Sequence, residues 1–315
     1  VSGTVSLILA IFLLRHAGQG LVSHISITTM TRYFKRERGR AIAVASVGFT
    51  AGEAALPFLA VVLIGTVGWR LTYGSVAFLI GLTVIPTVLW LLRNHESAHR
   101  AHLARVAGNE SGATDSRRSW RRSEVLRNRV FYLLMPGLLA TSTIGTAMFF
   151  HHLNLADEKG WSHTWITGNY AVFAVATTVS LLLFGRLIDR FSAVRVAPAM
   201  LVPLILSMLS IALLDRAWSV ILYMVLLGIQ SGLYHTVTSA LWAELYGVRH
   251  IGSIKSLYFS LSVLASALGP VLMGSLADLG MTLSTVCLYF AVYAVCAGLL
   301  LAGTLRQWTH RASGS

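Results

Sequence analysis

Apolar stretches long enough to cross a lipid bilayer recur along the whole chain. A helix rises 1.5 Å per residue, so about 20 residues cover a hydrocarbon core of roughly 30 Å. Hydrophobic residues make up 55% of the sequence and charged residues only 12%, which is too few charges for a soluble globular domain. Backbone groups must be hydrogen-bonded internally in lipid, and the alternating pattern of a barrel is absent, so every stretch is predicted to be a helix. The nine predicted spans are approximately 5–30, 41–65, 69–92, 130–156, 164–186, 195–214, 218–245, 254–277 and 281–304.

The positive charge is distributed by topology. A net charge of +13 is typical of nucleic-acid-binding proteins, but 21 of the 25 lysines and arginines lie in alternate connections between the spans. By the positive-inside rule these connections are cytoplasmic, which places the C-terminus inside. We therefore predict a multi-pass protein of the cell (inner or plasma) membrane and no nucleic-acid partner. The basic connections fall within 32–40, 93–129, 186–195, 249–255 and 306–311.

A long basic segment divides the chain. Residues 93–129 are rich in Arg, Ser, His and Ala, as expected of a cytoplasmic linker. The predicted domains are a partial N-terminal bundle of three spans over 1–92, this linker, a complete six-helix bundle over 130–306 and a cytoplasmic tail over 307–315. Bulky apolar residues alternate with Arg at the end of the linker, which predicts a short amphipathic helix lying in the membrane interface.

One charged loop carries a family resemblance. The spacing of Gly185, Leu187, Asp189, Arg190 and Arg195 resembles the loop motif of the major facilitator superfamily, which joins the second and third helices of each six-helix half. The motif follows the second span of the complete bundle. The resemblance implies an all-α membrane bundle in which nine of twelve helices, the fourth to the twelfth, are present. An N-terminally truncated chain is therefore expected, and a true nine-span protein is the alternative.

The same loop is expected to act as a conformational latch. Asp189 can accept hydrogen bonds from backbone N–H groups at a neighbouring helix start, near 251–255, while the neighbouring arginines reach a carboxylate such as Glu244. The sequence departs from the family pattern in that Ser192, Ala193 and Val194 precede Arg195. Positive-inside charge alone would explain the arginines but not Gly185 or Asp189. The predicted latch consists of Gly185, Asp189, Arg190, Arg195 and Glu244.

Two charges lie inside predicted spans of the first bundle. Arg15 and Gln19 belong to a segment, 14–20, that resembles the Arg-x-x-x-x-Gly motif of the family's fourth helix. A charge at this depth costs about 2.5–3.5 kcal/mol, so Arg15 should face the bundle interior and have a partner. Glu53 reaches a similar depth. Two roles for Glu53 are open from the sequence: it carries a coupling proton, or it permanently neutralises Arg15.

The second bundle contributes further polar candidates. His151 and His152 are adjacent and so point about 100° apart, which lets at most one of them face a central cavity squarely. Either could be a coupling or substrate group, or an outer-leaflet histidine that reaches interfacial water. In the span 218–245, a polar stripe at helical spacing is expected to line the cavity. Its members are Gln230, Tyr234, Thr238 and Trp242, with His235 beside them.

The substrate prediction rests on resemblance. The segments 15–20, 149–154 and 242–252 look like the monocarboxylate and oxalate/formate-type branch of the superfamily. We predict a secondary transporter that works by alternating access, moves a small organic anion with proton coupling or exchange, and functions as a monomer in the lipid bilayer. Glu53 or His152 would carry the proton. No cofactor, metal or enzymatic activity is expected.

Two alternatives remain at this stage. The aromatic residues Tyr234, Trp242 and Tyr258 would also suit a pump for lipophilic drugs or metabolites. A transporter-like sensor is the third possibility, although residues 93–119 offer no ordered element for a partner to bind.

Overall fold

The protein is helical in every part that the computed structural model describes, namely residues 3–14, 38–91, 120–247 and 249–313. Within these residues, seven helices are long and apolar enough to cross a membrane. This confirms the predicted all-α membrane fold. The helices are α1 (Thr4–Leu14), α2 (Arg38–Val67), α3 (Trp69–Leu91), α4 (Arg122–Leu126), α5 (Arg129–Lys159), α6 (His163–Gly168), α7 (Tyr170–Phe191), α8 (Ala193–Val196), α9 (Leu201–Leu213), α10 (Ser219–Tyr246), α11 (Ile251–Asp278) and α12 (Leu283–Ser313).

The observed helices follow the predicted spans, with two local interruptions. The fifth predicted span is divided at Asn169 into α6 and α7. The sixth begins with α8 and a short 3-10 helix, Ala197–Met200, because Pro198 has no N–H to donate within an α-helix. The first predicted span is described only over Thr4–Leu14, and α2 contains an apolar stretch over Ala54–Val67.

The chain divides into two compact units. One comprises Val1–Gly52 and Val67–Asp115, and the other comprises Glu53–Thr66 and Ser116–Ser315. In the first unit, nearly all side chains of α3 are exposed, and Thr72 is the exception among the described residues. The second unit contains a bundle of six spans, in which α7, α10, α9, α12, α5 and α11 pack as successive neighbours.

Glycines bring the helices of the second unit into close contact. A Cβ atom at Gly228 would lie 2.6 Å from the carbonyl oxygen of Phe173, and one at Gly232 would lie 2.6 Å from the Cβ of Ser180. The two glycines are four residues apart on α10, so both face α7. A Cβ atom at Gly269 of α11 would come even closer to the carbonyl oxygen of Thr143 on α5. Such small-residue contacts replace the hydrophobic effect as the source of helix association in lipid.

The C-terminal end of α5 is tied to three neighbouring elements. The Glu158 carboxylate accepts hydrogen bonds from the backbone N–H of Leu283 at 2.5 Å and of Ser284 at 3.0 Å, and so caps α12. Lys159 forms an ion pair of 2.6 Å with Asp215 in the connection between α9 and α10. Asp157 contacts His163 of α6. These contacts fix one rim of the bundle.

Candidate substrate and coupling site

His152 is the centre of a buried hydrogen-bond network that joins three helices. Its Nδ1 atom lies 2.6 Å from the hydroxyl of Tyr170 on α7, and its Nε2 atom lies 2.5 Å from the hydroxyl of Tyr223 on α10. A neutral imidazole accepts at one nitrogen and donates at the other, so both ring nitrogens are satisfied. The ring is only 1% exposed and contacts Phe149 edge-on. His152 therefore has the environment of an interhelical connector.

The neighbouring His151 has a different environment. Its Nε2 atom lies 3.2 Å from the carbonyl oxygen of Pro270 on α11, so Nε2 carries the hydrogen and donates. The Nδ1 atom is then a bare acceptor, and it is buried with no hydrogen-bond partner. The ring also lies beside Gly274, where a side chain would meet Cε1 at 3.6 Å. His151 thus belongs to the contact between α5 and α11.

The predicted cavity stripe of α10 lies mostly inside the bundle. Gln230 is 1% exposed and donates from Nε2 to the hydroxyl of Thr141 at 2.6 Å. The Tyr234 hydroxyl lies 2.5 Å from that of Tyr258, which donates in turn to the carbonyl of Leu138 at 3.2 Å. These bonds join α10 to α5 and α11.

The C-terminal part of the stripe, Thr238 and Trp242, is also turned toward the inside of the bundle. Trp242 is fully buried and stacks on Tyr246, and neither its indole nitrogen nor the Tyr246 hydroxyl has a partner in the described residues. Thr238 is half-buried and donates to the carbonyl of its own helix at Tyr234.

The polar face that α10 does expose is the adjacent stripe. His235 and Ser239 are exposed and Ser231 is half-buried, and the three follow one another at four-residue intervals. The prediction was therefore displaced by one residue, or about 100° around the helix. The reason is that Gln and Tyr side chains are long enough to bond neighbouring helices, so they turn inward.

Lys255 of α11 lies next to this exposed stripe. Its Nζ atom donates to the carbonyl oxygen of Ser239 at 2.9 Å, one helical turn from His235. No carboxylate of the described residues forms an ion pair with Lys255 or His235. Both side chains lie within helices long enough to span the membrane. Lys255 lies only in the second turn of α11, at the end of the connection predicted to be cytoplasmic, so its amine can reach water at the membrane surface.

In the predicted latch region, the described partners of Glu244 are a hydroxyl and backbone N–H groups. The Glu244 carboxylate accepts from the Ser192 hydroxyl at 2.5 Å and from the backbone N–H of Ala193 at 2.8 Å and Val194 at 3.2 Å. It therefore caps the start of α8. Arg190 and Arg195 are exposed, and neither forms an ion pair with a described carboxylate. Gly185, at the far end of the motif, lies within α7 with open space beside it. The side chain of Asp189 lies outside the described residues.

Ser192 explains why this cap is needed. It is the one described residue other than glycine with a positive φ, at 74°. That conformation disfavours an L side chain, by about 1 kcal/mol or more. The loop thus keeps a backbone shape suited to glycine while carrying a serine, and the carboxylate of Glu244 binds both the serine and the amides that follow.

Other predicted site residues cannot be placed. Arg15 and Gln19 lie outside the described residues, and of Glu53 only the backbone, within α2, is described. In the described ranges, no group of three or more His, Cys, Asp or Glu side chains could hold a metal ion. Sequence reasoning missed Lys255, Ser192 and the Gly228–Gly232 pair. The last could have been found from its four-residue spacing.

These features define a multi-pass helical membrane protein with a polar stripe on one of its spans and a lysine beside that stripe. Residues 1–174 and 153–312 match the family model of the Major Facilitator Superfamily, and the chain belongs to this family. It is accordingly a secondary transporter of the superfamily. None of the curated proteins matches it.

Proposed function

We propose that the protein transports a small organic anion by alternating access, with proton coupling or exchange. The observation that carries this proposal is the pair of exposed His235 and half-buried Lys255. Both lie within membrane-spanning helices, and neither is neutralised by a described carboxylate. A lysine charge beside exposed polar side chains attracts anions and repels cations.

Arg15 is proposed as a further cationic side chain that binds the anion. Its segment carries the motif described above, and a charge in such a span needs a functional or structural partner. Its guanidinium would supply several donors to a carboxylate, which accepts charge-assisted hydrogen bonds well.

Glu53 is the preferred candidate for carrying the coupling proton. His152 was the other, but both of its nitrogens are bonded to tyrosine hydroxyls in a fully enclosed position. A proton bound there would require the tyrosine hydroxyl that now donates to the ring to turn and accept instead. We therefore assign His152 a structural role and leave coupling to Glu53, with the bare Nδ1 of His151 as a further candidate.

The lipophilic efflux alternative loses its main support. Tyr234, Trp242 and Tyr258 are buried among the helices of the second unit and contact one another, with the Trp242 and Tyr258 rings 5.0 Å apart. They offer no open aromatic surface to a large apolar solute.

The protein is proposed to lie in the cell membrane with its basic connections, including the C-terminus, on the cytoplasmic side.

Substrate uptake by variants tests this proposal. The protein is reconstituted in liposomes, and uptake of labelled lactate, pyruvate, oxalate and formate is measured. Lys255→Gln and Arg15→Ala are expected to raise the KM by about tenfold or more, because each removes a charge-assisted contact with the anion. Arg216→Gln, which removes an exposed charge between α9 and α10, is the matched control and should retain the wild-type KM. Retained affinity in both test variants would contradict the anion assignment.

A further inference from the structure

Three aromatic side chains bring three separate elements together at the basic end of the second unit. Trp120 precedes α4, Tyr246 ends α10, and Trp308 lies near the end of α12. The ring centroids are 5.6 Å apart for Trp120 and Tyr246, and 6.1 Å apart for each of the other two pairs. The backbone N–H of Trp120 also donates to the carbonyl of Tyr246 at 2.9 Å. The end of the linker is therefore fixed against the bundle.

Each of these elements carries an exposed arginine within three residues of its aromatic side chain. Arg121 follows Trp120, Arg249 follows Tyr246, and Arg306 precedes Trp308. Four exposed arginines lie between residues 121 and 129 alone, and Glu124 is the only carboxylate of the sequence from 116 to 156. Glu124 already accepts from the backbone N–H of Arg121 at 2.6 Å.

We call the set of exposed arginines the basic collar. It consists of Arg121, Arg122, Arg127, Arg129, Arg249 and Arg306.

Apolar side chains lie exposed beside the collar. Val125 anchors α4 in the core, whereas Leu126 on the same helix is exposed. Tyr132 and Leu133, at the start of α5, are also exposed, and the Tyr132 hydroxyl donates to the carbonyl of Leu126 at 3.0 Å. The guanidinium groups of the collar are suited to the phosphate of a phospholipid. The exposed apolar and aromatic side chains beside them, at the end of a span, are suited to its acyl chains.

We propose that the basic collar is a binding site for the headgroup of an anionic phospholipid. The guanidinium groups bind the phosphate oxygens, since their planar fork matches phosphate geometry. Leu126, Tyr132 and Leu133 contact the upper acyl chains. A free phosphate ester would satisfy only the first set of contacts, so a lipid is the occupant that uses the whole surface. Binding there holds the end of the linker, α10 and α12 together.

Thermal unfolding in nanodiscs of defined composition tests the site. The protein is compared in phosphatidylcholine alone and in phosphatidylcholine containing cardiolipin or phosphatidylglycerol, and native mass spectrometry counts the lipid retained. The anionic lipid is expected to raise the Tm of the wild-type protein and to remain bound. Arg121→Gln/Arg122→Gln/Arg127→Gln should lose both effects. Arg70→Gln/Arg216→Gln, which removes exposed charges from other connections, should keep both.

Two further measurements separate lipid binding from misfolding and from binding of soluble phosphate. The triple Arg-to-Lys variant at 121, 122 and 127 retains the charge, and it should keep a reduced Tm shift even if the glutamine variant folds poorly. Glycerol phosphate added to the phosphatidylcholine sample should give no shift, whereas a shift equal to that from the lipid would indicate a site for soluble phosphate esters. An equal Tm and equal lipid retention in the wild-type and collar variants would overturn the proposal.

Discussion

Glu244 and Ser192 are joined by a hydrogen bond of 2.5 Å that connects the end of α10 to the loop between α7 and α8. The same carboxylate accepts from two backbone amides that follow Ser192. Loop and helix therefore move together for as long as this cap is intact. A transporter that alternates between conformations needs such breakable links between its helices, and Glu244 supplies one without an arginine partner among the described residues.

Replacing Ser192 should separate backbone strain from hydrogen bonding. Ser192→Ala keeps the positive φ and loses the hydroxyl bond, whereas Ser192→Gly loses the bond but relieves the strain. The Tm in detergent is expected to be highest for the wild type, lower for the glycine variant and lowest for the alanine variant. The alanine variant should be destabilised by about 1–3 kcal/mol relative to the wild type. An alanine variant as stable as the glycine variant would show that the φ at this position carries no strain.

Glu244→Gln should destabilise the same loop. An amide oxygen can accept one or two of the three bonds, but the amide nitrogen would then face a backbone N–H donor. We expect a loss of about 1–3 kcal/mol in unfolding free energy, measured by chemical or thermal denaturation. Glu158→Gln, which changes the equivalent cap on α12, is the comparison and should cost a similar amount. If Glu244→Gln is neutral, the cap does not stabilise the loop.

Gly232→Ala should weaken the contact between α7 and α10. The added methyl group would lie 2.6 Å from the Cβ of Ser180 and 2.8 Å from the carbonyl of Thr177, so the helices must move apart. Overpacking of this kind costs about 1–3 kcal/mol. Gly303→Ala on α12 meets nothing within 4 Å and should be neutral or slightly stabilising, because alanine favours the helix. Tm values of the two purified variants provide the comparison, and equal values would contradict the packing.

His152 and His235 should respond differently to substitution by glutamine. His152→Gln disturbs two buried tyrosine hydroxyls and should lower the Tm, with transport falling in proportion to the folded protein. His235 is exposed, so His235→Gln should leave the Tm unchanged and raise the KM for the anion. Uptake normalised to folded protein distinguishes the two. A His152→Gln variant with normal stability and no transport would instead assign the buried histidine to coupling.

The sequence was sufficient to predict the helices but not their orientation. Long apolar stretches and alternating basic connections determine where spans occur, and α5, α10, α11 and α12 begin within three residues of the predicted positions. Which face of α10 points inward depends on whether Gln230 and Tyr234 find partners on α5 and α11. Those partners are about 25 to 90 residues away in sequence, so a helical stripe alone cannot show them.

The latch illustrates the same limit. The sequence singled out Glu244 and the loop that follows α7 as a latch, and a charge-pairing argument assigned the partners of Glu244 to arginines. Backbone N–H groups at the start of α8 and the Ser192 hydroxyl are the observed donors. Backbone groups are the same in every sequence, so only the conformation of the loop shows which of them are free to donate.

Uptake driven by an imposed pH gradient tests the central claim most directly. Proteoliposomes containing the protein are diluted into a buffer of different pH, and the accumulation of labelled lactate, pyruvate, oxalate and formate is followed with and without a protonophore. The account predicts that at least one of these anions accumulates, and that accumulation falls when Lys255 is replaced by glutamine. No uptake or exchange of any small carboxylate by protein that is folded and correctly inserted would contradict it.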